Sequence, residues 1–281
     1  MVTSKGVVPV AVRSAVRLLA ALVLAVGLFP ATPVLAVENV FTSTAAVKEE
    51  AGRIGDESLL FATGPVDPYW VQTIAAAGAF AAAYVYDRDI RSDLAGVHTS
   101  TLDHVTRWGS LAGDPYIHLG VAATLYGAGA LTDSPRVLLL GQKLGEALLL
   151  ADGTTLILKE AVGRARPEAG KGESDYRPFR FDGDYSLPSM HTASSFAVAH
   201  VLAAESDSWG VKALCYTGAT LVGFSRLYRD QHWASDVVLG AAIGELAGSA
   251  VTRYYDLHGA KVTVTPASLG GAPGLALSGR F

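Results

Sequence analysis

From residue 71 onward the chain is a succession of apolar blocks divided by short polar punctuation. The blocks run over about 71–86, 94–112, 116–131, 136–163, 191–206, 210–229 and 233–257. Asp87-Arg88-Asp89, Gly113-Asp114-Pro115, Thr132-Asp133-Ser134-Pro135 and Ser206-Asp207-Ser208 read as the turns between them. No block alternates with period two, and their lengths favour helices over strands. Ala and Gly recur throughout, which suits helices whose backbones approach closely. The pattern predicts an all-α helical bundle. Ahead of it, residues 38–62 read as an amphipathic entry segment, helical in part, closed by the loop Gly64-Pro65-Val66-Asp67-Pro68. Behind it, Lys261-Val262-Thr263-Val264-Thr265 alternates and a Gly-rich turn leads to Gly274–Phe281. This tail predicts a β-hairpin or a pair of edge strands added to the bundle.

The N-terminus follows different rules. Lys5, Arg13 and Arg17 precede the short apolar run Leu18–Phe29, and Pro30-Ala31-Thr32-Pro33-Val34-Leu35-Ala36 ends it in small residues. That is the layout of a secretory signal peptide cleaved after Ala36, although an uncleaved anchor uses the same charges and apolar core. The expected organisation is therefore a signal peptide over 1–36, an entry segment over 37–70, a helical domain over 71–258 and a β-like tail over 259–281. The protein is expected to be exported, either periplasmic or lying against a membrane. Among the blocks, only 116–131 and 211–224 approach a spanning hydrophobicity, and both fall short of about 20 residues. Block 136–163 carries Gln142, Lys143, Glu146, Asp152, Lys159 and Glu160 among its leucines, and Glu245 interrupts the last block. Buried helices fit these patterns better than spanning ones.

Charge and cysteine remove whole classes of function. The formal charge is −4, and cleavage of three basic residues with 1–36 takes it to −7. A general nucleic-acid binder needs a basic face instead. A few buried cations still dominate their own pocket. The one cysteine, Cys215, allows no internal disulfide and no thiolate zinc site.

Three short blocks carry chemistry: Lys159-Glu160-Ala161-Val162-Gly163-Arg164-Ala165-Arg166-Pro167, then Pro188-Ser189-Met190-His191, then Ser225-Arg226 through His232 to Asp236. Lys159 and Arg166 are seven apart, two turns on one helix face, and Pro167 stops that helix. With Arg226 they make three cations suited to clamping phosphate oxygens. Pairing with Glu160 and Glu168 is the plainer alternative. His232 and Asp236, four apart on a predicted helix, put a carboxylate beside an imidazole. That contact fixes one ring nitrogen as donor and leaves the other as a nucleophile, though a cap or surface pair has the same spacing. Ser189 reads as the N-cap of a helix whose free N–H groups suit an anion. His191 beside it is placed to protonate a leaving oxygen.

Together the blocks resemble the signature of the phosphatidic-acid-phosphatase type 2 superfamily, K-x6-RP, PSGH and SR-x5-H-x3-D, over about residues 137–250. The resemblance implies the helical fold shared by bacterial acid phosphatases, membrane lipid phosphatases and vanadium haloperoxidases. It implies that Lys159, Arg166, Ser189 and Arg226 hold a phosphate, with the Met190 N–H at the position of the family glycine. His232 then attacks phosphorus, Asp236 orients it, His191 protonates the leaving group, and water hydrolyses the phosphohistidine. No metal or other cofactor is implied. The substrate would be a phosphate monoester, a lipid phosphate or a lipid pyrophosphate.

The departure from the family is Met190. A negative φ there keeps the N–H donor and sets the methionine against the leaving-group pocket, whereas a positive φ strains the site. Two rival readings share the blocks: a haloperoxidase that holds vanadate on His232, and a binding protein disabled at Met190. His98, His104, His118, His200 and His258 share no ligand spacing and read as surface or core residues. Asp182, Asp184 and Tyr185 read as loop, Arg164 as solvent-facing, and Trp233 as core.

Overall fold

The computed structural model describes residues 40–181 and 185–258, together with the backbone of 263–269 and 272–278. The expected signal peptide, Asp182 and Asp184 lie outside the described residues. Among the described residues nine α-helices follow one another: α1 Thr44–Thr63, α2 Trp70–Val85, α3 Asp87–Ala95, α4 Ser100–Ala112, α5 Pro115–Leu131, α6 Pro135–Val162, α7 Met190–Ala204, α8 Trp209–Tyr228 and α9 Ala234–His258. After them, Thr263–Leu269 (β1) pairs antiparallel with Ala272–Ser278 (β2), with Thr263 opposite Ser278.

The predicted punctuation works mostly as helix starts. Asp114 accepts from the N–H groups of Tyr116 and Ile117 with Pro115 at the first helical position, and Pro135 opens α6. Two expectations are corrected. Asp87-Arg88-Asp89 is the first turn of α3 and not a separator, its two acids lying at the helix N-terminus. The block 94–112 is broken at residues 96–99, where Thr99 caps α4 by accepting from the Leu102 N–H.

Helix α9 is the centre of the bundle and lies against α7, α6, α2 and α1. The core between them is built from small and branched residues: Ala147, Leu148 and Ala151 on α6, Ala193, Ala197 and Val201 on α7, and Ala247 and Val251 on α9. Small side chains let the axes approach until glycine is required. At Gly244 a Cβ atom would sit 2.1 Å from the Ala193 carbonyl oxygen, and at Gly240 one would sit 2.4 Å from that of Ser189.

The polar interruptions of α6 and α9 are answered by other helices. Arg53 of α1 donates to Glu146 (2.7 Å), as does the Tyr255 hydroxyl (3.0 Å), and Gln142 donates to Glu50 (2.7 Å). Glu245 contacts His200 (2.9 Å) and accepts from the Tyr216 hydroxyl. Among the described helices, α9 is the one long and apolar enough to cross a membrane, where the sequence pattern favours 116–131 and 211–224. Of that stretch of α9, 56% is buried inside the bundle.

The close α7–α9 crossing has a direct test. Gly244→Ala should lower stability by about 1–3 kcal/mol through overpacking. Gly145→Ala, whose new Cβ would meet nothing within 4 Å, should raise it by about 0.5–1 kcal/mol. Urea midpoints measure both, and a Gly244→Ala protein as stable as wild type would contradict the crossing.

Candidate functional site

Lys159 sits in the last turn of α6, but the helix does not reach Arg166. It ends at Gly163, a left-handed residue (φ 65) where a Cβ would lie 2.0 Å from the Arg177 carbonyl oxygen. Only glycine fits that turn. The chain then runs extended, with Arg164 bridged to Tyr176 and Ala165 to Tyr185, and Pro167–Ala169 forms a single 3-10 turn. Lys159 and Arg166 therefore do not share a helix face, as their spacing suggests. A reversal brings them together. Lys159 Nζ donates to the carbonyl oxygens of Tyr185 (2.8 Å) and Ser186 (3.3 Å), and Arg166 Nη1 to that of Gln231 (3.3 Å).

Ser189 is the N-cap of α7, as its position predicts, yet its side chain makes no capping bond. Its Oγ accepts from the Thr192 hydroxyl (2.9 Å), while its N–H donates to the Asp236 carbonyl oxygen (3.0 Å). The first N–H groups of α7 thus have no acceptor from the cap residue. Met190 is the first helical residue and His191 the second. The described non-glycine residues with positive φ are Asp133, Phe179, Phe181 and Asp230, so Met190 presents its N–H as any first helical residue does.

Arg226 lies in the last turn of α8, buried, its guanidinium held by the Ser110 hydroxyl from α4 and by Gln231 Oε1. His232 is buried in the link between α8 and α9 rather than on a helix, because α9 opens only at Ala234. The contact with Asp236 nevertheless forms. His232 Nδ1 is 3.5 Å from Asp236 Oδ2, about 0.5 Å longer than a full hydrogen bond. Asp236 Oδ2 accepts from the Trp233 N–H (2.8 Å), the reciprocal half of a capping box. Trp233 is core, as read, with its indole N–H donating to the Ala165 carbonyl (3.0 Å).

Electrostatics mark the centre of this arrangement as strongly positive. Burial, then Lys159, Arg166 and Arg226, hold His232 well below the ordinary imidazole value. Burial, then Arg226, press His191 down to about 3. Arg226 itself is lowered to about 10 by burial and by its neighbours Arg166 and Arg229. Both imidazoles are neutral at pH 7, and the cations oppose one another.

Several participants carry no signature in the sequence. Gln231 serves both arginines, Arg226 through its side chain and Arg166 through its carbonyl. His118 lies close enough to influence His191 and contacts the Ser194 hydroxyl at 2.8 Å. Arg164 does not face solvent: it is fully buried and bonded to Asp236. Tyr185 is buried and lends its carbonyl to Lys159. Among the described residues, no three His, Cys, Asp or Glu side chains group as metal ligands. A cavity of about 640 Å³, lined by Arg88, Arg91, Tyr228, Arg229 and Trp233, adjoins the end of α8.

Known proteins share this segment. Residues 141–259 match the family model described as the PAP2 superfamily. Over 113 residues the chain is 37% identical to lipid A 1-phosphatase of Porphyromonas gingivalis, an alignment covering 40% of this chain and 22% of that protein. The match therefore spans 22% of that relative's length. Among solved structures it is similar to a transmembrane PAP2-type phosphatidylglycerolphosphate phosphatase from Bacillus subtilis, with TM-score 0.48 and 19% identity over 74% of this chain and 96% of that one. It is also similar to LpxE of Aquifex aeolicus, with TM-score 0.44 and 22% identity over 59% and 94%. All three blocks fall inside the segment that matches the PAP2 superfamily model, which covers under half of the chain.

Proposed function

We propose that this protein is a metal-independent phosphatase of lipid phosphates, exported by its first 36 residues and working through a phosphohistidine on His232. The observation that carries the reading is the convergence of Lys159, Arg166 and Arg226 on a buried, neutral His232. A phosphate is the anion such a cage suits, since two guanidiniums and an ammonium match its oxygens. The N–H groups opening α7 add to the cage. The cations then supply the charge stabilisation that metals supply in other phosphatases.

In the reaction, His232 attacks phosphorus through Nε2 while its Nδ1–H is held by Asp236. The bond from phosphorus to the ester oxygen breaks, and His191, which takes up a proton once the negative charge of the bound phosphate lies beside it, gives that proton to the oxygen. Water then attacks the phosphohistidine and passes a proton to His191. The P–N bond breaks, releasing inorganic phosphate and neutral His232. The 3.5 Å contact to Asp236 has to shorten in this step, as catalytic hydrogen bonds commonly do on substrate binding. The lipid part of the reading is supported by the name of the Porphyromonas gingivalis relative. It is supported too by exposed apolar side chains on α2 (Trp70, Val71, Ile74) and on α8 (Trp209, Leu214), each a feature suited to lying against a membrane.

Phosphate release from phosphatidate, a polyprenyl diphosphate and p-nitrophenyl phosphate tests the reading. Release should survive EDTA and fall by at least about three orders of magnitude in His232→Ala. Chelator-sensitive release, or an active His232→Ala, would sink it. Vanadate-dependent bromide oxidation without phosphate release would move the site to haloperoxidase chemistry.

The depressed His191 gives a second expectation. Its folded value lies near 3 against 6.5 for the ordinary imidazole, so between these values the unfolded chain binds more protons than the folded one. The stability this contributes is complete above pH 6.5 and is lost as pH falls through the window. Relative to His191→Asn, the wild type should lose up to about 2 kcal/mol between pH 6.5 and pH 5. Inorganic phosphate should reverse part of that loss by stabilising the charged imidazole. Urea denaturation across pH measures it, and parallel profiles for the two proteins would refute it.

A further inference from the structure

Arg164 stands between the two cations of the first block and belongs to neither the phosphate cage nor the solvent. It is fully buried. Its Nη1 donates to Asp236 Oδ1 (2.8 Å) and Ser235 Oγ (2.7 Å), its Nη2 to Asp87 Oδ2 (2.7 Å), and its Nε to the Glu173 carbonyl (2.8 Å). The rings of Tyr84, Trp233 and Tyr176 lie 5.1, 5.4 and 5.9 Å from its Cζ. Asp87, the first residue of α3, also accepts from the Ser235 N–H (2.9 Å) and hydroxyl (2.6 Å). Two carboxylates and one guanidinium are thus sealed under the start of α9.

Such a cluster is a poor way to add stability, because taking charges out of water offsets most of the attraction between them. What it does accomplish is geometric. The spacing of His232 and Asp236 brings the two side chains near each other but leaves the carboxylate free to turn about its χ2 angle, a broad torsion. Arg164 takes Oδ1 and the Trp233 N–H takes Oδ2, which leaves one rotation. In it, Oδ2 is the oxygen that faces His232 Nδ1.

We propose that Arg164 is a positioning residue for the reaction: bridging Asp236 to Asp87, it locks the Asp236 carboxylate in the rotation that receives the His232 Nδ1–H and so leaves Nε2 as the nucleophile. This rests on the phosphohistidine reading above. The charge balance agrees with it. Burial pushes the Asp236 carboxyl up, and Arg164 is the largest influence opposing that rise. The remaining groups facing Asp236 are the Trp233 N–H, the Ser186 hydroxyl and His232. A neutral Asp236 could donate to His232 but not hold its Nδ1–H, leaving the wrong tautomer for attack.

The experiment uses the full chain with p-nitrophenyl phosphate. Arg164→Gln should lower kcat about a hundredfold, leave KM and the inhibition constant of inorganic phosphate within about threefold, and move the acid limb of the kcat profile to higher pH. Arg164→Lys, which keeps the charge but not the fork, should recover part of kcat. In an Asp236→Asn background, Arg164→Gln should cost almost nothing further, the non-additivity of two residues acting through one contact. A merely structural role predicts additive losses with an unmoved pH limb, and that result overturns the proposal. If Arg164→Gln does not fold, Asp87→Asn weakens the same bridge from its far end. It should lower kcat by a smaller factor with KM unchanged, while removal of a negative charge from the cluster favours the ionised Asp236 and keeps the acid limb from rising, and an unchanged kcat there is equally fatal. A wild type inactive on every ester, or an active His232→Ala, defeats the phosphatase reading and this inference with it. Active wild type, inactive His232→Ala and unaffected Arg164 variants defeat this inference alone.

Discussion

The close crossing of α7 and α9 is the constraint on which the site depends. Gly240 leaves no room for a side chain against the Ser189 carbonyl, and the Ser189 N–H reaches the Asp236 carbonyl. The opening turns of two helices from distant parts of the sequence are thereby locked to one another. His191 belongs to one of these turns, and His232 immediately precedes the other. Their relation is set by backbone contacts, which hold more tightly than contacts between long side chains. Lys159 and Arg166 join from a third direction by way of the turn at Gly163, where glycine is again the only residue the backbone admits. The bundle is built around glycines at the points where the chemistry needs backbone, not side chain, at the contact.

That packing allows two opposite kinds of electrostatic arrangement to stand side by side. On one side of His232, burial and Arg166 depress Arg226, and the cations Lys159, Arg166 and Arg226 depress the imidazole. On the inner side, Arg164 is matched against Asp87 and Asp236 and is fully buried. The first cluster has positive charge to spare, and an anion is what would satisfy it. The second has one negative charge to spare, directed at His232. The imidazole stands at the boundary, and in the proposed reaction a positive charge developing on it would be met by Asp236.

The order of helices and most of their limits were legible in the pattern of apolar blocks, because each block is long enough to exclude strands and some boundaries carry a capping residue, Asp114 and Ser208 among them. The 94–112 block was not, since the break at 96–99 depends on Thr99 capping a new helix, and no proline announces it. The charged positions were legible as a set through their spacing. Their local conformation was not: the seven-residue interval of Lys159 and Arg166 suggests a helix face, while Gly163 ends the helix between them. Gln231, Ser110 and Arg164 were invisible for a different reason. The partners of Ser110 and Arg164 are far away in sequence, 116 residues in the case of Ser110 and Arg226, and Gln231, five residues from Arg226, lies in a link whose conformation the spacing does not fix. For Arg164 the misleading feature was its type, as arginines are seldom fully buried unless paired, and neither of its acidic partners is a sequence neighbour.

Met190 shows how little a departure from a motif means when the group that matters is the backbone. Glycine at this position of the family signature suggests a need for free φ or close approach. Here the residue is the first of α7, in ordinary helical conformation, so the N–H points out of the helix start whatever side chain follows. Its contribution to an anion site is a property of the helix terminus, and methionine leaves that unchanged. What methionine adds is a flexible apolar side chain, half-buried beside His191. A group leaving through His191 would pass that side chain, and an acyl or prenyl chain tolerates it better than a hydrated sugar does. Under the proposed reaction the substitution would bear on which ester is accepted more than on whether phosphate is held.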